Sequence, residues 1–424
     1  MMRWPGPRPG GEPDWYSQCI VSLRGQVQSN HANVLITLRS DPAWKDVFAF
    51  DEMRQEVMLL RPVPAHDQPR SKALAKPRPW SDVDDAATQE WMQIAGLPHV
   101  GRDTVATAIS QRARELPIHP VRGWLNNLKW DGVQRIEGGT TDDGEIIEPW
   151  MTVYLGVDNN PYHRAVGALI LISAVARIFI PGCKVDHMVI LEGPQNSGKS
   201  TACEILCGEE HFSDNLHDVR SKDAMAHISG KWIIEIAELD AMSRAENTAM
   251  KAFLTRRIDK FRPAYGRHEV ERPRQCIFIG TTNKSDYLTD ETGGRRYWPV
   301  KTYAIELEAL RSDRDKLWAE ALHLYKQGRE WHITDPEISK LAQQEQSERY
   351  DEDVWEEKVG DYLKGMSEVT VSQIMQEALK IEVSHKDRAG QNRVTKILTR
   401  LGWLRGKRSA DRRPWHCPSN ELTE

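Results

Sequence analysis

The spacing of apolar positions changes near residue 187. Before that point apolar residues recur at helical spacing, as in segments 87–97 and 101–117, and predict mostly short helices. The longest apolar run, 165–180, is interrupted by Arg177 and predicts a buried helix. No apolar run approaches the ~20 residues that a helix needs to cross a bilayer.

After this point, short apolar runs bounded by turn residues alternate with helical segments. The runs are HMVILEG, KWIIEIAE and CIFIGTTN. Strands buried on both faces have this pattern, and their alternation with helices indicates a parallel sheet. The expected fold class is an α/β core between a helical domain and a small C-terminal domain. The expected divisions are a loose N-terminus, a mainly helical domain, the core, a polar connector and the C-terminal domain: 1–15, 16–180, 181–332, 333–352 and 353–424.

Composition narrows the class of protein. Hydrophobic content of 39% and charged content of 28% are typical of a soluble globular chain. The N-terminus lacks the apolar segment of a secretory signal, so we expect a cytoplasmic protein without a membrane partner. The six cysteines form no C-x-x-C pair, which favours core or helix-surface thiols over a metal site.

The segment GPQNSGKS, residues 193–200, matches G-x-x-x-x-G-K-[ST] between an apolar strand and a helix. Glycines let backbone N–H groups surround the β- and γ-phosphates of a nucleotide, and the helix N-terminus adds positive potential. Lys199 would reach the terminal phosphates, and the Ser200 hydroxyl would help hold Mg²⁺. The expected cofactors are ATP and Mg²⁺. The predicted nucleotide-binding residues are Gly193, Pro194, Gln195, Asn196, Ser197, Gly198, Lys199, Ser200 and Thr201.

Polar side chains end the next two apolar runs. Ligands collect at the carboxyl ends of strands in open α/β sheets. Glu238, at the end of KWIIEIAE, is therefore the carboxylate expected to orient water and hold the metal with Ser200. Glu235, inside the strand, has two open interpretations. It assists the catalytic residues without touching the nucleotide, or it forms an ordinary ion pair with a neighbouring basic group. Asn283 ends CIFIGTTN and is expected beside the γ-phosphate.

Two adjacent arginines follow within ETGGRRYWPV, residues 291–300. An inserted arginine stabilises the charge that develops during phosphoryl transfer, by about 10³–10⁵ in rate. Arg295 or Arg296 is therefore expected to act as a finger in a neighbouring subunit's site within a ring. The alternative is a surface turn before a strand.

A basic segment lies between the acidic strand and the Asn283 strand. Residues 251–274 hold eight Lys and Arg against three acids, and FRPAYGRHEVERPR could form a hairpin. Such a hairpin suits single-stranded DNA, whereas the alternative is a solvated charged surface. The residues expected to contact DNA there are Lys251, Arg262, Tyr265, Arg267 and His268.

The C-terminal segment 369–418 has the pattern of helix, turn, helix and a short hairpin. Between Lys386 and Arg413, ten Lys and Arg face two Asp, which predicts a winged helix that binds duplex DNA. The alternative is a basic protein-docking domain. In the expected recognition helix, 388–401, the candidate contacts are Arg388, Arg393, Lys396 and Arg400.

Five motifs in this order resemble the virulence-associated protein E family, a group of phage- and genomic-island-encoded ATPases related to superfamily 3 helicases. They are RGWLNNLKWDGVQRI, PGCKVDHMVILEGPQNSGKST, GKWIIEIAELDAM, DKFRPAYGRHEVERPRQCIFIGTTN and DETGGRRYWPV. The resemblance implies a superfamily 3 or AAA+-like P-loop ATPase core that works as a homo-hexameric replication helicase or initiator in the bacterial cytoplasm.

By position in the motifs, the resemblance assigns Lys199 and Ser200 to the phosphate loop and Glu238 to the acidic strand. It also assigns Asn283 to the polar sensor. The segment before the helical region is too short for the primase domain of some relatives, so we expect no primase activity. Participation of a separate primase or of host replication proteins stays open. The competing functions are an ATP-controlled DNA-binding regulator without unwinding activity and a monomeric ATPase that handles protein partners.

Overall fold

In the computed structural model, the described residues are 15–65, 72–141, 143–216, 218–239, 242, 244–263, 268–285, 287–288, 294–349, 355–381, 388–406 and 413–417. Internal contacts divide the chain into two compact units. The first lies within Met1–Ser285 and Thr292–Gln346, and the second within Asp286–Glu291 and Ser347–Glu424.

The first part of unit 1 contains more β-structure than its helical pattern predicted. Its elements in chain order are α1 (His31–Ser40), β1 (Phe48–Asp51), β2 (Glu56–Leu59), β3 (Arg78–Pro79), α2 (Asp82–Ile94), α3 (Arg102–Arg114), β4 (Pro117–Ile118), α4 (Pro120–Asn127), β5 (Gly139–Thr140), β6 (Ile146–Ile147), α5 (Trp150–Leu155) and α6 (Pro161–Phe179). The strands β3-β2-β1-β4 form a four-stranded sheet, and α3 packs against α1, α2 and β1. This sheet and its helices enclose their own hydrophobic cluster around Trp44, Phe48, Trp91 and Met92.

Helix α6 lies in the main hydrophobic core. Among the described residues it is the one helix long and apolar enough to cross a membrane, yet 83% of its apolar window is buried inside the protein. It contacts the helix Leu307–Lys326 and the two strands Met188–Glu192 and Ile277–Thr282. Burial of this kind is typical of the central helix of a globular core, as the sequence predicted.

The second part of unit 1 is an α/β core. Its elements are β7 (Met188–Glu192), α7 (Lys199–Cys207), β8 (Phe212–Ser213), α8 (Lys222–His227), β9 (Ile233–Ile236), α9 (Arg244–Leu254), β10 (Ile258–Phe261), β11 (Val270–Pro273), β12 (Ile277–Thr282), β13 (Tyr297–Lys301), α10 (Leu307–Lys326) and α11 (Pro336–Ser347). The three apolar runs became β7, β9 and β12, all fully buried, which confirms the prediction of buried strands.

The main sheet has five strands in the order β13-β7-β12-β9-β8, and every neighbouring pair is parallel. Its carboxyl edge therefore gathers the residues that follow β7, β9 and β12. Helices α6, α7 and α10 pack around the sheet. Trp232 and Trp318 join the sheet region to α10 with ring centroids 4.2 Å apart.

The polar connector expected at 333–352 contains helix α11. Its Ala342 and Gln346 are buried, and Gln346 Nε2 donates a hydrogen bond to the Tyr297 carbonyl at 2.8 Å. The polar composition of this segment gave no sign of the narrow stripe of α11 that is buried. Up to Gln346, this segment belongs to unit 1 rather than to a linker.

Unit 2 combines short helices with a small antiparallel sheet. Its elements are α12 (Glu356–Leu363), β14 (Glu368–Thr370), α13 (Val371–Gln373) continuing as a π-helix (Ile374–Ala378), α14 (Arg388–Arg400), β15 (Leu404–Arg405) and β16 (Pro414–His416). The strand order is β14-β16-β15, and both pairings are antiparallel. Val359, Val394, Leu398 and Trp415 belong to a hydrophobic core within this unit.

Candidate functional site

The loop between β7 and α7 has a backbone that requires glycine at two positions. Gly198 has a left-handed φ of 93°, and Asn196 has a left-handed φ of 60°. A Cβ at Gly193 would lie 2.7 Å from Thr302 Oγ1, closer than real Cβ atoms come. Most residues with a Cβ are strained at positive φ. The glycines of the motif are thus explained by the local geometry of the loop.

Lys199 begins α7, and its side chain turns back onto the loop. Its Nζ donates to the carbonyl oxygens of Gly193 and Pro194, both at 2.7 Å, and lies 3.4 Å from Asn283 Oδ1. Burial lowers the pKa of Lys199, and the nearby Glu235 carboxylate opposes this effect. The ammonium group is therefore positioned at the centre of the loop, next to the end of β12.

Ser200 is linked to the acidic strand through Glu235. The Ser200 hydroxyl donates to Glu235 Oε1 at 2.7 Å, and the Thr281 hydroxyl donates to the same oxygen at 2.6 Å. Glu235 is only 2% exposed, and its Oε2 has no hydrogen-bond partner among the described residues. A buried carboxylate oxygen without a partner is costly and marks a place where a ligand or ion would be stabilised.

Glu238 and Asn283 end their strands as the sequence predicted. Glu238 lies two residues beyond β9, is exposed and has a left-handed φ of 53°. Asn283 directly follows β12 and is exposed beside Lys199. The carboxylate that contacts the Ser200 hydroxyl is Glu235. The expected share of Glu238 in the metal site stays a prediction.

Sequence reasoning left the role of Glu235 open, although a signal was present. An acid inside a strand that is buried on both faces must have a polar partner. The hydroxyls of Ser200 and Thr281 were available at the ends of the neighbouring elements. In the described part of the chain, the hydrogen-bond donors to Glu235 are these two hydroxyls rather than a basic side chain, which does not favour the ion-pair alternative.

Arg295 and Arg296 lie at the opposite end of the sheet from the loop. They form a 3₁₀ turn, Gly294–Arg296, that leads directly into β13. In the parallel pairing, Tyr297 is level with Met188 and Lys301 with Glu192. A strand rises by ~3.3 Å per residue, so five residues separate the arginines from the loop by roughly 16 Å along the strand.

The antiparallel pairing of β10 with β11 agrees with the hairpin predicted at 261–274, whose turn residues 264–267 lie outside the described part of the chain. Arg262 and His268 are exposed next to its turn, whereas Tyr265 and Arg267 lie outside the described residues. Lys251 is buried, 5.8 Å from the centroid of the Tyr297 ring. The prediction that Lys251 faces DNA is therefore corrected, because its side chain belongs to the interior of unit 1.

Other basic residues of this segment also serve the fold. The Arg274 guanidinium is buried and pairs with Asp259 at 2.6 and 2.8 Å. Arg257 Nε donates to the Gly182 carbonyl at 2.6 Å, and Lys260 pairs with Glu271 at 2.5 Å. Since Lys251 and Arg274 are buried, the count of eight basic residues overstates the charge that segment 251–274 presents to solvent.

In unit 2, helix α14 presents part of its basic surface. Arg388 and Lys396 are exposed, and the Arg393 guanidinium packs 4.1 Å from the Trp355 ring centroid. The Arg400 side chain lies outside the described part of the chain. The predicted helix at 388–401 is confirmed, as is the antiparallel pairing of the strands that follow it.

All six cysteines lie within the described residues; none of them forms a disulfide, and five are buried. Among the described residues, no group of three or more His, Cys, Asp or Glu is arranged to hold a metal ion. A cation at the carboxyl edge of the sheet would therefore need ligands beyond such a cluster, such as a hydroxyl, phosphate oxygens or water.

The fold and the site define an α/β protein with a lysine, a hydroxyl, a buried carboxylate and an amide at one sheet edge. The chain belongs to the family defined by the virulence-associated protein E-like domain, whose model matches residues 125–351. This match confirms the resemblance drawn from the motifs.

Two solved structures of the NrS-1 C-terminal region resemble the chain at low similarity. The apo structure (305–718) has 13% identity and a TM-score of 0.42, and an A-form apo structure has 12% and 0.41. Each match covers 87% of this chain and 95% of the other. No curated protein matches the sequence.

Proposed function

We propose that the protein is a Mg²⁺-dependent ATPase that acts on DNA in the replication of a phage or mobile element. One observation carries the proposal: Lys199, the Ser200–Glu235 pair and Asn283 meet at the carboxyl edge of a parallel sheet. Few reactions other than phosphoryl transfer use this set of groups beside a glycine-shaped loop. Membership of the family supports the link to replication.

The residues present suit a divalent cation. Glu235 Oε2 is buried without a partner among the described residues, and the Ser200 hydroxyl lies against the other oxygen of the same carboxylate. Hydroxyl and carboxylate oxygens are the ligands that Mg²⁺ prefers, together with phosphate and water. Bound there, Mg²⁺ would neutralise charge on the phosphates. We therefore assign Ser200 and Glu235 to the cation.

The remaining groups have complementary roles. Nucleotide phosphates would replace the loop carbonyls as acceptors for the Lys199 ammonium, since both compete for the same three N–H donors. Asn283 would hold the attacking water or a γ-phosphate oxygen through its amide. Glu238, exposed at the end of its strand, is the proposed carboxylate that orients water.

The arginines complete the site of another copy in this proposal. Arg295 and Arg296 lie about 16 Å along the strand from the loop of their own chain, too far for direct contact with its phosphates. A homo-hexameric ring would bring them to a neighbour's loop and would make hydrolysis depend on assembly.

DNA is the proposed polymer. Arg262 and His268 are exposed beside the hairpin turn, and Arg388 and Lys396 are exposed on α14. We propose single-stranded DNA for the hairpin. For 353–424 we propose duplex DNA, with α14 as the recognition helix of a winged helix and β15–β16 as its wing.

The test is strand displacement on a forked DNA duplex with ATP and Mg²⁺. We expect displacement by the wild-type protein and none by Lys199→Ala. A second assay mixes Lys199→Ala subunits with subunits that carry both Arg295→Ala and Arg296→Ala. Hydrolysis by the mixture, but by neither variant alone, is expected if one subunit completes another's site. Full hydrolysis by the double arginine variant alone would contradict the ring.

A second function is favoured by one specific observation. Unit 2 has its own hydrophobic core and carries the basic helix α14, so it has what a separate DNA-binding module needs. This second function is that of an ATP-controlled DNA-binding regulator without unwinding activity. DNA-stimulated hydrolysis without strand displacement would support this second function over the helicase.

A further inference from the structure

The segment after β13 borders the loop on the side away from Asn283. Thr302 N and Thr302 Oγ1 both donate to the Glu192 carbonyl, at 2.7 and 2.8 Å. A Cβ at Gly198 would lie 3.3 Å from Leu307 Cδ1. Residues 302–307 therefore run along the flank of the loop.

The order of strands gives the bound nucleotide a direction. β7, which leads into the loop, lies between β12 and β13. The groups proposed for the γ-phosphate and the cation, Asn283 and Glu235, lie on the β12 side. A nucleotide whose terminal phosphate faces those groups extends its nucleoside the other way, over the segment that follows β13.

Tyr303 lies in that segment, with its backbone fixed and the residue half exposed. Its N–H donates to the Leu155 carbonyl at 3.1 Å. Gly156, with a φ of 63°, comes so close that a Cβ there would lie 2.7 Å from the Ala304 carbonyl oxygen. Tyr303 as a residue is nevertheless 48% exposed, and among the described residues it is the one aromatic in the set of exposed large apolar residues.

We propose that Tyr303 is the platform on which the nucleobase of the bound nucleotide stacks. Aromatic rings stack on bases through their faces, and a ring on a fixed backbone loses little conformational entropy when it does so. Lys301 Nζ lies over one face of the Tyr303 ring, 5.4 Å from its centroid, so the base would stack on the other face. This inference rests on the proposed nucleotide binding and identifies where the base, rather than the phosphates, is held.

The test separates base from phosphate by comparing two ligands. Isothermal titration calorimetry with Mg²⁺ would measure the Kd of ADP and of pyrophosphate for the wild type, Tyr303→Ala and Tyr303→Phe. We expect Tyr303→Ala to raise the Kd of ADP about ten-fold and to change that of pyrophosphate less than about two-fold. Tyr303→Phe keeps the aromatic face and should restore ADP binding to within about two-fold of the wild type.

Two controls make the outcomes distinguishable. Lys199→Ala is expected to weaken ADP and pyrophosphate together, because it acts on the phosphates. Ile146→Ala removes another exposed apolar side chain, on β6, and controls for surface effects. If Tyr303→Ala leaves the Kd of ADP unchanged, or weakens both ligands equally, the stacking role is overturned while nucleotide binding stands. If the wild type binds neither ligand, the proposed function fails as well.

Discussion

Two buried carboxylates of unit 1 are satisfied in opposite ways. Asp259, on β10, accepts hydrogen bonds from the Arg274 guanidinium on both of its oxygens. Glu235, on β9, accepts both of its hydrogen bonds on Oε1 and leaves Oε2 without a partner among the described residues. A buried charge is tolerated only when it is compensated. The completed pair therefore indicates a structural role, and the incomplete one indicates a site for a ligand.

The same contrast separates the two regions that contain these acids. At the carboxyl edge of the sheet, residues from a spaced motif converge on one point. In the basic segment 251–274, residues grouped by charge alone diverge, and Lys251 and Arg274 are buried. The spacing of a motif reflects the backbone geometry of the folded site, so it predicts where the residues lie. A count of charges does not say which side chains reach solvent.

The largest expected effect is on stability, in the basic segment. Arg274→Ala would leave Asp259 charged and buried without its partner. We expect a loss of about 3–5 kcal/mol in the free energy of unfolding. Urea unfolding followed by tryptophan fluorescence measures this loss.

A double replacement is the matched control for that experiment. Asp259→Leu combined with Arg274→Met removes both charges and keeps apolar volume, so it should recover most of the lost stability. A double variant as unstable as Arg274→Ala would contradict the structural role of the ion pair. It would also blur the contrast with Glu235.

The second effect is on chemistry, at the sheet edge. Glu235→Gln keeps the shape and one acceptor but removes the negative charge next to Ser200. We expect ATP hydrolysis to fall about 10²–10³-fold, since charged groups aimed at a reacting centre are typically worth that much. A steady-state phosphate-release assay with titrated Mg²⁺ measures this change.

Stability serves as the control for Glu235→Gln. Because the carboxylate is buried and only half satisfied, its neutral amide should leave the free energy of unfolding within about 1 kcal/mol of the wild type. A large loss of stability with normal hydrolysis would reverse the assignment, making Glu235 structural. Glu238→Gln, on the exposed residue of the same segment, tests whether the proposed Mg²⁺ binding depends on Glu235 alone.

Part of the fold and of the candidate site could be predicted from the sequence alone. The loop, the strands β7, β9 and β12, and the position of Asn283 followed from periodicity and motif spacing. Helix α11 was missed because its composition is polar and only a narrow stripe is buried. The four-stranded sheet near the N-terminus was missed because its strands have two to four residues, too few to show a period.

The roles of individual charges were harder to predict, because they depend on contacts between residues distant in sequence. Glu235 meets Ser200 only through the pairing of elements, and Arg274 meets Asp259 only across the hairpin. The separation of the two arginines from their own loop follows from the parallel register of β13, which the sequence does not state.

A third prediction concerns a third buried acid, Glu320 of α10. Its Oε2 accepts from the backbone N–H groups of Arg135 and Ile136, at 2.7 and 3.1 Å. Burial raises its pKa to about 7, and these two N–H groups only partly offset the rise. Between the ordinary value of 4.5 and about 7, the folded state keeps a proton that the unfolded state has lost. The stabilisation that comes from the proton on Glu320 is therefore complete below pH 4.5. It is lost as the pH rises from 4.5 to about 7.

Glu320→Gln should remove this dependence. Relative to the wild type, the variant should gain about 1–3 kcal/mol in unfolding free energy between pH 4.5 and pH 8. Urea unfolding at both pH values measures the gain, and the comparison cancels the titration of other groups. Glu308→Gln, on the exposed surface of the same helix, is the control. An equal difference between Glu320→Gln and wild type at both pH values would contradict the raised pKa.

The smallest expected effect tests whether exposure identifies DNA contacts better than charge count does. Lys396 is exposed on α14. Lys364, at the end of α12, is also exposed and pairs with Asp361 at 2.8 Å. If α14 faces duplex DNA, Lys396→Ala removes one phosphate contact. Affinity should then fall a few-fold at any DNA sequence, and the slope of log K against log[salt] should flatten by about 0.9.

Fluorescence anisotropy over a series of salt concentrations measures both the affinity and the slope, and Lys364→Ala should leave the slope unchanged. Equal slopes for wild type and Lys396→Ala would place the DNA-binding surface elsewhere in the protein, and the basic composition of this helix would then reflect only solvation.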